Sequence, residues 1–154
     1  VTFRTTSQNT PYIVMAYDSR VDKFSKVKQM FPGLGPNGTT PEGLCFEAIM
    51  KEFVPINNDM DSYFLNLSDG QPYFPGYGFY YGGDSAERHT NKMVKMIQSM
   101  GIQTLSYFIS DWEINEDCSD ARAFKRMYGK GAKKIDVTNI AQITKTMNQL
   151  FLTK

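Results

Sequence analysis

A chain of 154 residues that is 41% apolar and 14% aromatic is sized for one domain with a substantial core. Its 17 Lys and Arg against 16 Asp and Glu leave a formal charge of +1, so no global field argues for nucleic acid or an anionic membrane as partner. No apolar run reaches the roughly 20 residues of a membrane span, no segment reads as a signal peptide, and Cys45 and Cys118 fit neither a zinc spacing nor a disulfide framework, so a soluble cytoplasmic protein is expected.

The chain opens inside a strand, residues 1–6, with no initiator Met, and reads as a fragment or a processed product. A second strand is predicted over 12–17. Val21, Phe24, Val27 and Phe31 have rough helical spacing and predict a short helix running into the Pro-Gly-rich loop 32–38. A firmer helix follows Thr40, with Pro41 in its first turn and Leu44, Cys45, Ala48, Ile49 and Phe53 on one apolar stripe.

A strand over 62–67 then runs into Ser68-Asp69-Gly70. Residues 70–83 are too rich in Gly and Pro to predict regular structure there. A helix from about Asp84 carries Met93, Met96, Ile97 and Met100 at helical spacing and stops at Gly101. A strand over 102–109, a helix from Ser119 to Tyr128, a strand over 134–137 and a last helix from about Asn139 complete the chain. In that last helix Ile140, Ile143, Met147, Leu150 and Phe151 are expected to face inward. The runs at 63–67 and 105–109 are more continuous than alternating, as parallel strands covered on both faces are. A single α/β domain with a mostly parallel sheet and helices on both faces is the expected architecture.

In such a sheet ligands gather at the carboxyl ends of the strands. Asp69 falls at one of these ends, and the hydroxyls of Thr39 and Thr40 stand before a helix. Carboxylate and hydroxyl oxygens suit a hard cation such as Mg²⁺ or Mn²⁺.

The turn Gly38-Thr39-Thr40-Pro41-Glu42-Gly43, followed about thirty residues later by Leu67-Ser68-Asp69-Gly70-Gln71-Pro72, resembles two parts of the metal-ion-dependent adhesion site of von Willebrand A domains. Further similarity lies in Ser85-Ala86-Glu87-Arg88-His89 opening a helix, in the short Lys134-Ile135-Asp136-Val137 strand, and in a closing helix ending Met147-Asn148-Gln149-Leu150-Phe151. Together these resemble the C-terminal domain of the cobaltochelatase T subunit of cobalamin biosynthesis, over about residues 1–152. The resemblance implies a three-layer, Rossmann-like fold over 1–154, with Thr40 and Asp69 as metal ligands and Thr39 as the alternative if the register shifts by one. The family's opening Asp-x-Ser-x-Ser motif, with its first central strand, has no counterpart in the chain, so an Asp and two Ser ligands are missing. Two ligands hold Mg²⁺ weakly. The implied function is a protein-interaction domain without catalytic activity of its own, in which a partner's carboxylate completes the Mg²⁺ shell and the partner is an AAA+ ATPase subunit of a cobalt-inserting complex. Thr39, Tyr73, Phe74 and Tyr77 are the expected partner contacts.

Plainer readings stand beside these. Thr39 or Thr40 suits a helix N-cap, and Asp69-Gly70 a simple turn. His89, the chain's one histidine, has no nucleophile placed beside it by sequence, which argues against a Ser/His/Asp or Cys/His set. Gly33-Leu34-Gly35-Pro36-Asn37-Gly38 matches the dinucleotide fingerprint, giving an alternative of a nucleotide-binding α/β enzyme, but no buried strand precedes it and Pro36 sits where backbone must wrap a pyrophosphate. A metal-free structural module is a third reading. Finally, acids cluster over 111–120 and bases over 122–134, consistent with a solvated loop beside a basic helix face or with a docking surface.

Overall fold

The computed structural model describes residues 2–4, 12–15, 17–30, 32, 39–53, 61–76, 78–109 and 118–135, together with 141, 144, 145 and 148. The protein is mixed α/β, with a parallel three-stranded sheet and helices. Its contacts divide it into two compact units, residues 1–55 with 72–90, and residues 56–71 with 91–154.

The first unit begins with an antiparallel pair, β1 (Thr2–Arg4) and β2 (Tyr12–Met15), followed by the short helix α1 (Phe24–Met30). In the turn before α1 Asp18 accepts hydrogen bonds from Nε and Nη2 of the Arg20 guanidinium, and that pairing lowers its carboxyl to about 2. Helix α2 (Glu42–Phe53) follows Pro41, whose carbonyl accepts from the Cys45 amide. Cys45, Phe46 and Ile49 are buried, while Leu44 and Ala48 are half-buried; Phe46 lies outside the stripe drawn from periodicity.

The stretch read as irregular contains a hairpin instead, β4 (Phe74–Gly76) with β5 (Phe79–Tyr81). Opposite residues Phe74 and Tyr81 both turn inward and join Ala86 in a buried cluster with Leu44 against it. That one apolar cross-strand pair repays a three-residue ladder that Gly and Pro would otherwise disfavour. Gly78, with φ +71°, provides the left-handed backbone that a tight hairpin turn requires. Helix α3 (Gly83–Ser99) starts in this unit and continues past Thr90 into the second.

In the second unit β3 (Tyr63–Ser68) pairs in parallel with β6 (Gln103–Ile109), which pairs in parallel with β7 (Ala132–Ile135). Strand β6 is the middle strand and is buried from Leu105 to Phe108, as its continuous apolar run requires. Leu105 and Tyr107 cluster with Ile135 on one face. The same expectation does not hold for β3. It lies at the edge of this sheet, and Leu65 and Leu67, in register with buried Leu105 and Tyr107, are 41% and 52% exposed.

Helix α4 (Ser119–Tyr128) matches its expected bounds. The Cys118 sulfur accepts from the Ala121 amide at one end, and the Gly129 amide donates to the Lys125 carbonyl at the other. Its buried residues Ala123, Phe124, Met127 and Tyr128 sit at i, i+1, i+4 and i+5, one helical face. Phe124 packs against Phe108 of β6 at 5.3 Å and against Tyr128 at 4.5 Å, and Asn66 of β3 donates to the Tyr128 hydroxyl at 2.9 Å. Strand β7 begins two residues before its expected start, because a 3-10 turn at Gly129–Gly131 delivers the chain directly into the sheet. On α3, Met93 and Ile97 are buried as expected, but Met96 is exposed and Val94 takes a core position. Ala141, Thr144, Lys145 and Asn148 are helical and exposed; the apolar set expected to oppose them lies outside the described residues. Among the described residues no helix is long and apolar enough to cross a membrane.

Candidate functional site

Asp69 follows the last residue of β3 and therefore stands at the carboxyl edge of the parallel sheet, exposed. The loop around it is tightly folded. The Ser68 hydroxyl accepts from the Gly70 amide at 2.9 Å, and Asp69 Oδ1 accepts from the Gln71 amide at 3.1 Å. Gly70 has φ +77°, and a Cβ there would come 3.0 Å from the Phe108 ring, so the turn has room for glycine only. Gln71 Nε2 donates to Asp120 Oδ2 at 3.0 Å, fastening the loop to the first turn of α4. Asp69 thus makes the turn expected of an Asp-Gly pair and keeps its carboxylate at the surface.

Thr40 belongs to the first unit and Asp69 to the second. The Thr40 carbonyl accepts from the Glu42 amide at 2.8 Å and the Tyr73 amide at 3.1 Å, which bridges the approach to α2 to the approach to the hairpin. Thr39 and Thr40 are half-buried. Among the described residues no group of three or more His, Cys, Asp or Glu side chains is placed to hold a metal ion. The Asp69 carboxylate is a hard-oxygen ligand in type, but it fills a minor part of the six positions that Mg²⁺ demands.

The hairpin divides its aromatic residues between two jobs. Phe74, expected to meet a partner, is buried, because with Tyr81 it anchors the hairpin to the core. Tyr73, Phe79 and Tyr80 are 43%, 51% and 69% exposed. Tyr73 and Tyr80 meet edge to face at 5.9 Å, so each stiffens the other. Tyr77 and Gly33–Gly38 lie outside the described residues.

Tyr81 is the hub of a polar network. Its hydroxyl lies 3.3 Å from the Ala86 carbonyl, 3.1 Å from His89 Nδ1 and 3.4 Å from Thr90 Oγ1, all on the first turns of α3. Burial is the main reason its phenol titrates above the usual 10.0. The other ring nitrogen of His89, Nε2, faces Glu47 Oε2 of α2 at 3.6 Å. Gly43 permits this convergence. A Cβ at that position would stand 2.8 Å from His89 Nδ1 and 2.9 Å from the Thr90 backbone nitrogen. Tyr81 is itself buried, and the network holds α2, β5 and α3 together. Sequence could not pair His89 with residues 8 positions before it and on another helix.

Neither thiol is in a disulfide. Burial, reinforced by the Glu42 carboxylate, pushes the Cys45 thiol from 9.0 up to about 12, whereas Cys118 is only half-buried. Ellman's reagent at pH 8 is expected to titrate Cys118 in the native protein and to reach Cys45 only on unfolding. Between pH 9 and about 12 the unfolded chain releases the Cys45 proton and the folded chain retains it. Unfolding then releases protons, so stability falls as pH rises through that window, and urea midpoints at pH 8, 9.5 and 10.5 should decline in order. A flat series would contradict the burial of Cys45.

No protein-family model, curated protein or solved structure matches the chain.

Proposed function

We propose that the chain is a protein-binding domain and that the β4–β5 hairpin is its contact element. The observation that carries this reading is the exposure of Tyr73, Phe79 and Tyr80 on a hairpin whose other aromatic pair, Phe74 and Tyr81, is locked in the core. Rigid aromatic side chains held at the surface lose little conformational freedom on binding, and Tyr is enriched among residues that dominate interface energies. The parallel order of β3, β6 and β7, with Asp69 at its carboxyl edge, supports a von Willebrand A type of three-layer fold without its first central strand. On the same resemblance the partner is an AAA+ ATPase subunit in a cytoplasmic cobaltochelatase-like assembly, and the domain itself is not catalytic. Mg²⁺ or Mn²⁺ enters as a weakly held ion at Asp69 whose remaining ligands come largely from water and the partner.

Calorimetry against a purified AAA+ subunit of the cobaltochelatase type, with Mg²⁺ and with EDTA, tests the reading. Binding is expected with Mg²⁺. A Phe79→Ala/Tyr80→Ala variant should lose tenfold or more in affinity, on the order of 1.4 kcal/mol or above, with an unchanged melting temperature. Asp69→Ala should remove the difference between Mg²⁺ and EDTA. Absence of binding, or full affinity in the double variant, would refute the assignment.

A further inference from the structure

We propose that a slot in the second unit, between α4 and β7, is a binding site for a small aromatic anion. The slot encloses about 180 Å³. Its apolar lining comes from Phe108 of β6, Ala121 and Phe124 of α4, and Ala132 of β7. The two alanines create the space. Ala121 and Phe124 are three apart on one face of α4, so a larger side chain at 121 would fill the slot from the helix side. Lys125, one position beyond Phe124, and Lys133 and Lys134 of β7 line the same slot and are exposed.

Shape and charge together define the ligand. An apolar cavity of roughly 150 Å³ accepts benzene, so the slot is one ring wide. Phe108 and Phe124 are tilted at 50° to each other and so offer an incoming ring both face and edge. Three lysines among the seven lining residues favour a carboxylate, phosphate or sulfonate on that ring and disfavour a cation. The nearest acid in sequence, Asp120, is turned away to Gln71 at 3.0 Å and Ser119 at 3.1 Å, and no acidic side chain lines the slot among the described residues. Inorganic anions lack the ring that the apolar lining accommodates, and neutral arenes lack the charge that the lysines hold. The site shares no residue with the hairpin and does not rest on the protein-binding reading.

Phenyl phosphate is a suitable probe, titrated into the ¹⁵N-labelled full chain beside benzyl alcohol and inorganic phosphate. Saturable shifts are expected at Ala121, Phe124, Ala132 and Lys133 with phenyl phosphate, at a Kd at least tenfold below that of either control. Ala121→Leu should abolish those shifts. Lys125→Ala/Lys133→Ala, a pair of surface changes that leaves the core intact, should weaken phenyl phosphate tenfold or more and leave benzyl alcohol unaffected. Equal binding of inorganic phosphate would reduce the feature to a charged patch, and equal binding of benzyl alcohol to an apolar crevice; either overturns the proposal, as does a lack of saturation or indifference to both sets of substitutions.

Discussion

Phe124→Ala is expected to destabilise the protein by about 3–5 kcal/mol, the usual cost of emptying a buried aromatic site. Phe124 is the side chain through which α4 holds the sheet, touching Phe108 below it and Tyr128 along the helix. Its removal takes away the transfer energy of a ring and leaves a void that the rigid strand β6 cannot close. The aromatic contacts add about 0.5–1.5 kcal/mol beyond burial. The loss also reaches the hydrogen bond from Asn66 to Tyr128, because the Tyr128 ring is positioned by Phe124. Against a total stability of roughly 5–15 kcal/mol, that loss takes from about a fifth to all of the margin. Urea denaturation followed by near-ultraviolet circular dichroism should show the drop, with Phe124→Leu intermediate. A cost below about 1.5 kcal/mol would mean that α4 does not pack on the sheet through this residue.

The second large effect is one of sign. A glycine inside a helix normally gains about 1 kcal/mol of stability when replaced by alanine, because the unfolded chain loses freedom and the helix loses a poor former. Gly43→Ala in α2 is expected to do the opposite and cost about 1–3 kcal/mol, as overpacking does. The Tyr81 hydroxyl is the nearest atom in the way, and the backbone nitrogen of Thr90 stands 2.9 Å from the new Cβ, where backbone within α3 cannot rotate aside as a side chain can. The His89 ring, also in the way, is held between Tyr81 and Glu47. Relief requires α2 to move from α3, which breaks those contacts. Thermal melts of the wild type and variant decide the matter, and a rise in the melting temperature would show that the two helices do not approach at Gly43.

Local signals made much of this architecture readable in advance. Helix α4 was bounded by Ser119 and Gly129, and its ends are capped locally, by the Cys118 sulfur and the Gly129 amide. The parallel sheet was expected from the continuous apolar runs of β3 and β6, and two-sided burial of such a run holds for β6. Features set by distant partners were not readable. Nothing local to Phe74 and Tyr81 announces that they pair and turn inward, since the signal is a single inward pair between Gly and Pro residues that by themselves indicate a loop. Likewise Leu65 and Leu67 belong to the same kind of run as β6, and their exposure depends on which strand ends a sheet, a property of topology. Of the candidate site, Asp69 was placed correctly at a strand end because Asp-Gly after an apolar run is a local pattern. The division of the aromatic hairpin into anchors and exposed residues needed the fold.

The Tyr81 hub also governs how the protein withstands digestion. Phe79 and Tyr80 are the kind of exposed aromatic residues after which chymotrypsin-like proteases cut, yet a protease needs the backbone on both sides drawn out as an extended strand. Pulling β5 free means extracting Tyr81 from Phe74 and Ala86 and parting its hydroxyl from α3. Nicking is therefore governed by how often the hairpin opens and not by how visible its rings are. The protein can thus display sticky aromatic residues while denying proteases the peptide bonds beside them.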